Sequence, residues 1–294
     1  MKNAIKIWIE AARLRTLPVS VAGVVAAIGV AKWEHRFSWL PAVICLVFAV
    51  LAQVTSNFAN EYYDFKRGSD KKGRVGPRRG VTEGDIKPAT LRNVTFATLA
   101  MACVVGCCLI PFGGWWLIPV GVAIAVFALA YSAGPYPLSY HGLGDLAVLV
   151  FFGLVPVNFT YYVQAGAWSP FAFLVSVSIG LMGINVLLVN NYRDMEDDID
   201  AGKHTTVVIL GRKVAGTFYL VSGYCAVFFL SPIWVLLRGW ALLIPLLYLM
   251  MHTITWRKLL SRKGTALNPL LGATGRNMLI FAILLAVAMI LNQR

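Results

Sequence analysis

The chain has 294 residues, of which 59% are apolar and only 13% charged, and its net charge is +13. Soluble domains run at roughly 45–50% apolar with glycine counted and about 25% charged, so a soluble enzyme and a disordered chain are both excluded. The basic excess would suit nucleic acid, but its distribution argues otherwise.

Stretches without Asp, Glu, Lys or Arg cover 16–31, 37–60, 93–144, 146–192, 214–237, 239–256 and 277–293. A helix needs about 20 apolar residues to cross a bilayer. The run 93–144 is too long for one crossing and divides at Pro111-Phe112-Gly113-Gly114. The run 146–192 divides at Ala165-Gly166-Ala167-Trp168-Ser169-Pro170, another turn signal. The reading is an all-α membrane protein with about nine transmembrane helices in one polytopic domain, 1–294. Strands are disfavoured, because only helices and closed barrels satisfy the backbone in lipid and these runs do not alternate. Lys2, Lys6, Arg13 and Arg15 ahead of the first run could mimic a signal peptide, but no small-residue cleavage site follows.

With nine spans, 22 of the 26 Lys and Arg fall on the side of the N-terminus, and only Lys32, Arg36, Arg238 and Arg294 fall opposite. The positive-inside rule then places the N-terminus in the cytoplasm and the C-terminus outside. The basic charge is therefore topological, and no nucleic-acid partner is expected. Cys45, Cys103, Cys107, Cys108 and Cys225 all lie inside spans, without His at metal-ligand spacing, and read as packing residues.

The acids carry the chemistry. Ten of the thirteen sit in two cytoplasmic loops: Glu61, Asp64, Asp70, Glu83 and Asp85 after span two, and Asp194, Glu196, Asp197, Asp198 and Asp200 after span six. Asn60 precedes Asp64 by four residues, and Asn190 precedes Asp194 by four; such pairs share a helix face. Asn57 extends the first face and Asp198 the second. The 130-residue offset suggests a weak internal repeat: spans one to four, about 16–140, and spans five to eight, about 144–256, with a ninth at about 277–293. Clustered carboxylates and amides suit hard cations, and Mg²⁺ typically completes its shell with water and substrate phosphates. Two facing stations could hold Mg²⁺ around one diphosphate. Lys66, Arg67, Lys71, Lys72, Arg74, Arg78, Arg79 and Lys203 could neutralise further phosphate oxygens.

An ordered set of segments carries a resemblance. They are Arg15-Thr16-Leu17-Pro18; Asn57 through Asp70 (NFANEYYDFKRGSD); Gly76-Pro77-Arg78-Arg79-Gly80; and Tyr131 through Leu138 (YSAGPYPL). Gly142-Leu143-Gly144-Asp145, Tyr161-Tyr162-Val163-Gln164 and Asn190 through Lys203 (NNYRDMEDDIDAGK) complete it. The chain resembles the UbiA-type superfamily of intramembrane prenyltransferases. Within it, the chain looks like the menaquinone-pathway branch, the 1,4-dihydroxy-2-naphthoate polyprenyltransferases.

The resemblance implies a nine-helix bundle around a cavity in which two aspartate-rich motifs bind Mg²⁺ and the donor diphosphate. By position, Asn60, Glu61, Asp64 and Asp70 form the first motif, and Asp194, Asp197 and Asp198 the second. Asn60, Asp64, Asp194 and Asp198 are the expected catalytic core. Arg15, Lys66, Arg78, Arg79 and Lys203 are the expected diphosphate contacts. The chain departs from the family in having Glu61 where Asp is common, and Gly68 where the hydroxybenzoate branch has its last Asp. It also lacks that branch's basic pair after Tyr136-Pro137, which argues against 4-hydroxybenzoate as acceptor.

The implied substrates are polyprenyl diphosphate and 1,4-dihydroxy-2-naphthoate, joined with loss of CO₂ and diphosphate. Tyr131, Tyr140 and Tyr62 are candidate stabilisers of the allylic cation, against an ordinary place in the interfacial aromatic belt. His141 and His204 are weak candidates for a base. The implied location is the cytoplasmic (inner) membrane, multi-pass, with the active site on the cytoplasmic side. Two alternatives stay open: a sister prenyltransferase with another aromatic acceptor, and a transporter. A transporter usually keeps ionisable groups near the midplane, whereas these spans hold almost none.

Overall fold

A computed structural model describes residues 4–292; Lys2 and Arg294, used in the charge count, lie outside the described residues. Among the described residues the secondary structure is entirely helical. The first helical stretch breaks at Arg13 into α1 (Ala4–Ala12) and α2 (Leu17–Trp33). Then come α3 (Trp39–Lys66), α4 (Pro88–Cys107), α5 (Leu117–Ala130), α6 (Gly144–Ala165) and α7 (Pro170–Arg193). A short α8 (Met195–Asp200) precedes α9 (Thr206–Phe228), α10 (Ile244–Ser261) and α11 (Asn268–Leu291).

Eight described helices are long and apolar enough to cross a membrane. The fourth expected span is the exception. Its helix, α5, has 14 residues and is about 21 Å long at 1.5 Å per residue, short of the roughly 30 Å hydrocarbon core. The chain leaves it through Tyr131-Ser132-Ala133-Gly134, with Gly134 at positive φ and Pro135 and Pro137 blocking continuation. Both turn signals lie where the long runs were expected to divide. At the second, Gly166 ends α6 in the left-handed conformation, and the Ser169 hydroxyl accepts the N–H groups of Phe171 and Ala172 to start α7.

Small residues draw the central helices together. A methyl group on Gly29 of α2 would sit 2.5 Å from Ala286 Cα of α11. One on Gly153 of α6 would sit 2.5 Å from Gly180 Cα of α7. Such backbone-to-backbone approach is how apolar helices gain packing where lipid removes the hydrophobic incentive. Within α6 the turn Leu149–Leu154 widens to π-helical geometry. Pro156 follows, and it has no N–H for the carbonyl of Phe152 and would clash with it in a regular turn. The widened turn faces the cavities described next.

Candidate active site

The last turns of α3 bring Asn57, Asn60 and Asp64 onto one face. Asn60 Nδ2 donates to Asp64 Oδ2 at 3.2 Å. The end of α7 and the start of α8 bring Asp194 and Asp198 one turn apart. The two motifs face each other, and basic side chains stand between them. Lys203 Nζ lies 3.4 Å from Asp64 Oδ2 and 3.9 Å from Asp198 Oδ1. Arg74 reaches from the loop after α3, with Nη1 2.7 Å from Asp70 Oδ1 and Nη2 3.0 Å from Asp194 Oδ2. Arg193 Nε and Nη2 both bond the Asp194 carboxylate at 2.6 Å.

Asp64, Asp194 and Asp198 are only 2%, 3% and 8% exposed, so their charges act in a low dielectric. Burial pushes the Asp198 carboxyl up to about 7 against the pull of Lys203, with Asp194 and Asp64 adding to the rise. Burial likewise pushes Asp70 up to about 6 against Arg74. Burial alone would lower the Lys203 ammonium, but Asp64 and Asp198 override it and hold Lys203 above its ordinary range. Arg74 is raised in the same way by Asp70 and Asp194.

These groups line a cavity of about 560 Å³. Asn60, Asp64, Asp194 and Asp198 of the expected set are on its wall, with Arg15, Arg78, Arg79 and Lys203. A second cavity, of about 370 Å³ and almost wholly apolar, lies between α3, α4, α5 and α6. The two share Gln53, Ser56, Tyr131, Val148 and Phe152. A polar chamber joined to an apolar one is the shape an amphiphile with an anionic head and a hydrocarbon tail requires.

Several expected residues stand elsewhere. Glu61 is off the cavity wall and 1% exposed; its Oε1 accepts the Val81 N–H at 3.2 Å and Arg79 lies beside it. It anchors the 76–86 loop from behind the cavity wall. Asp70 also lies off the wall, bracing Arg74 and Arg79, whose Nε is 3.2 Å away. Asp197 is half-buried and off the wall, and Lys66 is exposed at the end of α3. Tyr62 packs edge-on against Tyr63 and the cluster beneath α1, away from the cavity. Tyr140, by contrast, donates to Asp64 Oδ1 at 3.4 Å, and its ring lies 4.9 Å from Lys203 Nζ. His141 stacks on Tyr136 at 3.5 Å and is held by the Pro137 carbonyl, so it is structural. His204 binds through its backbone N–H to Tyr140 O.

Arg13, Arg193 and Asp145 stand on the wall although none was singled out as a site residue. Arg13 sits in a left-handed backbone conformation at the break between α1 and α2, and its Nη2 donates to Asn60 Oδ1 at 2.5 Å. That strained kink aims a guanidinium at the first motif. Arg13 and Arg193 were both counted as topological charge. Asp145 also lies on the wall. It is the lone charge between Arg92 and Arg193, and that isolation was the available signal.

The donor set fits Mg²⁺. Among the described residues no three acidic or imidazole groups converge as a ready cage. Mg²⁺ typically takes only one or two protein carboxylates and fills its shell with water and substrate phosphates. Asp64, and Asp194 with Asp198, offer such partial sets on opposite walls.

The model of the UbiA prenyltransferase family matches residues 18–271. The chain belongs to the UbiA prenyltransferase family. It is 35% identical to the 1,4-dihydroxy-2-naphthoate octaprenyltransferase of Escherichia coli, covering 91% of this chain and 94% of that protein. It is also 35% identical to the enzyme of that name from Mycobacterium tuberculosis, over 97% of each. Among solved structures, a UbiA homolog from Archaeoglobus fulgidus bound to DMAPP and Mg²⁺ superposes with a TM-score of 0.69 at 16% identity, covering 97% of this chain and 99% of that one. One from Aeropyrum pernix superposes with a TM-score of 0.68 at 13% identity, covering 94% and 98%. Family membership makes this a multi-pass membrane protein and excludes the transporter reading.

Proposed function

We propose that the chain transfers a polyprenyl group from polyprenyl diphosphate to 1,4-dihydroxy-2-naphthoate, with loss of diphosphate and CO₂. The observation that carries this reading is the pairing of two facing carboxylate motifs, interleaved with cations, with an apolar chamber that opens off the same wall. The naphthoate acceptor rests on the names of relatives 35% identical over almost the whole chain.

Asn60, Asp64, Asp194 and Asp198 would hold Mg²⁺, which when bound supplies Lewis-acid stabilisation of the departing diphosphate. Arg13, Arg74, Arg78, Arg79 and Lys203 present guanidinium and ammonium donors to the phosphate oxygens as negative charge builds on them. The tail lies in the apolar chamber among Phe151, Phe152 and Phe159, whose side chains keep water from the allylic cation. Tyr131, on the wall of both chambers, presents its ring where that cation forms. The ring carbon of the acceptor attacks there. The charge bias supports a site at the cytoplasmic end of the bundle, in the inner membrane.

The test offers purified protein an allylic diphosphate with either 1,4-dihydroxy-2-naphthoate or 4-hydroxybenzoate, with and without Mg²⁺, and follows products by mass spectrometry. The expected result is a Mg²⁺-dependent product from the naphthoate alone. Product from the hydroxybenzoate alone would overturn the acceptor and leave the prenyl transfer.

A further inference from the structure

Asp145 opens α6 on the wall of the carboxylate cavity. Its Oδ2 accepts the hydroxyl of Thr206, the first residue of α9. Its Oδ1 is buried and has no hydrogen-bond partner. Among the described residues Asp145 makes no ion pair. A buried carboxylate oxygen without a partner is costly, and such groups in native proteins call for an explanation. A partner that arrives with the substrate supplies one.

Its position says which substrate. A carboxylate without a cation repels a diphosphate, and Asp145 touches none of the motif acids, so a hydroxyl donor is the matching ligand. Gly144 packs against Tyr131: a methyl group there would sit 3.5 Å from the phenol oxygen. Tyr131 lines both chambers. Asp145 therefore stands beside the junction where head and tail of the donor divide and the aromatic acceptor must meet it. The other titratable groups on the surrounding elements are Tyr131, Tyr136, Tyr140 and His141 on the 131–141 segment, Tyr192, Arg193 and Asp194 at the end of α7, Asp198 on α8, Lys203 and His204 ahead of α9, and Arg212 and Lys213 on α9. None is hydrogen-bonded to Asp145.

We propose that Asp145 Oδ1 takes the ring-hydroxyl proton of the acceptor as C–C bond formation proceeds, and returns it afterwards. The inference rests on the prenyl-transfer reading above. As the O–H bond breaks, its electron pair forms a ring carbonyl, and the proton goes to Asp145. The ring π pair makes the new bond to the allylic carbon, whose C–O bond breaks with its pair leaving on the diphosphate. The C–C bond to the carboxylate then breaks and releases CO₂. Its pair restores the aromatic ring, and the carbonyl oxygen takes the proton back from Asp145. Nothing is oxidised, and no water or co-reactant enters. Thr206 occupies Oδ2, which leaves Oδ1 as the oxygen with no partner of its own to take the proton.

Asp145→Asn keeps the size and the acceptor atom for Thr206 but cannot take a proton. Its kcat should fall by roughly 10²–10⁴, the usual contribution of a positioned base, while donor affinity with Mg²⁺ stays near wild type. Its rate should climb at high pH as the acceptor hydroxyl ionises unaided, with the wild type flat over the same range. Thr206→Val tests the structural alternative. Equal losses in both variants with no recovery at high pH would overturn the proposal, as would a kcat for Asp145→Asn within threefold of wild type. Should Asp145→Asn not fold, the wild-type single-turnover rate carries the test: a normal solvent deuterium isotope effect is expected, and its absence overturns the idea. The comparison is run on whichever hydroxyarene the wild type prenylates, so a wrong acceptor leaves it intact. A wild type that prenylates no acceptor would overturn both readings.

Discussion

Removing Lys203 should change two affinities in opposite directions. Its ammonium bridges Asp64 and Asp198 at 3.4 and 3.9 Å and its side chain is only 15% exposed. Replaced by methionine, it leaves two buried carboxylates facing each other with their shared cation gone. Mg²⁺ alone then has less positive charge to compete with, so its affinity should rise. The donor diphosphate loses a charge-assisted hydrogen bond, worth roughly 1.5–3 kcal/mol. At 1.4 kcal/mol per decade that is about a 10- to 150-fold weaker Kd. Titration calorimetry in detergent measures both, first with Mg²⁺ and then with a non-reactive thiolo-diphosphate donor analogue at saturating Mg²⁺. Weaker Mg²⁺ binding, or donor affinity within threefold of wild type, would refute the placement of Lys203 between metal and phosphate.

Asp64→Ala and Asp194→Ala should each abolish prenyl transfer while the protein still purifies as a folded species; measurable turnover in either would remove that motif from the site. Because burial holds Asp198 at about 7, a proton competes with the metal there, so apparent Mg²⁺ affinity should fall as pH drops below 7 and level off above it; a flat profile between pH 6 and 8 contradicts this. Glu61→Gln keeps the acceptor for the Val81 N–H and lies off the cavity wall, so its Mg²⁺ affinity should stay near wild type, where Asp64→Asn loses most of its own. Gly153→Val would drive a side chain into the α7 backbone, and such overpacking costs about 1–3 kcal/mol or more; a lower melting temperature in detergent checks it.

The spans were legible because bilayer thickness imposes a length on apolar runs, and the breaks because clustered Gly and Pro disfavour an unbroken helix. The facing motifs were legible for a similar reason: Asn60 with Asp64 and Asn190 with Asp194 repeat a helical spacing at helix ends. What the pattern hides is direction. Asn60 and Asp64 share the cavity face, but Glu61, one residue on, is rotated by a quarter of a turn or more and meets the 76–86 loop instead. Asp70 and Lys66 lie in or at the edge of a loop whose path no periodicity dictates. Arg13 was obscured because its charge also serves topology, and only the left-handed kink at that residue turns it inward. The shortness of α5 was hidden inside an unbroken apolar run: Tyr131 and Ala133 are as apolar as a span requires, and the Gly134-Pro135 turn beyond them ends the helix.

The most direct measurement of the central claim uses 1,4-dihydroxy-2-naphthoate labelled in its carboxyl carbon, with an allylic diphosphate and Mg²⁺. The account predicts labelled CO₂ and prenylated product in equal amounts, both lost without Mg²⁺ and both lost in Asp64→Ala. Product that retains the label, or product formed at the wild-type rate in Asp64→Ala, would contradict it.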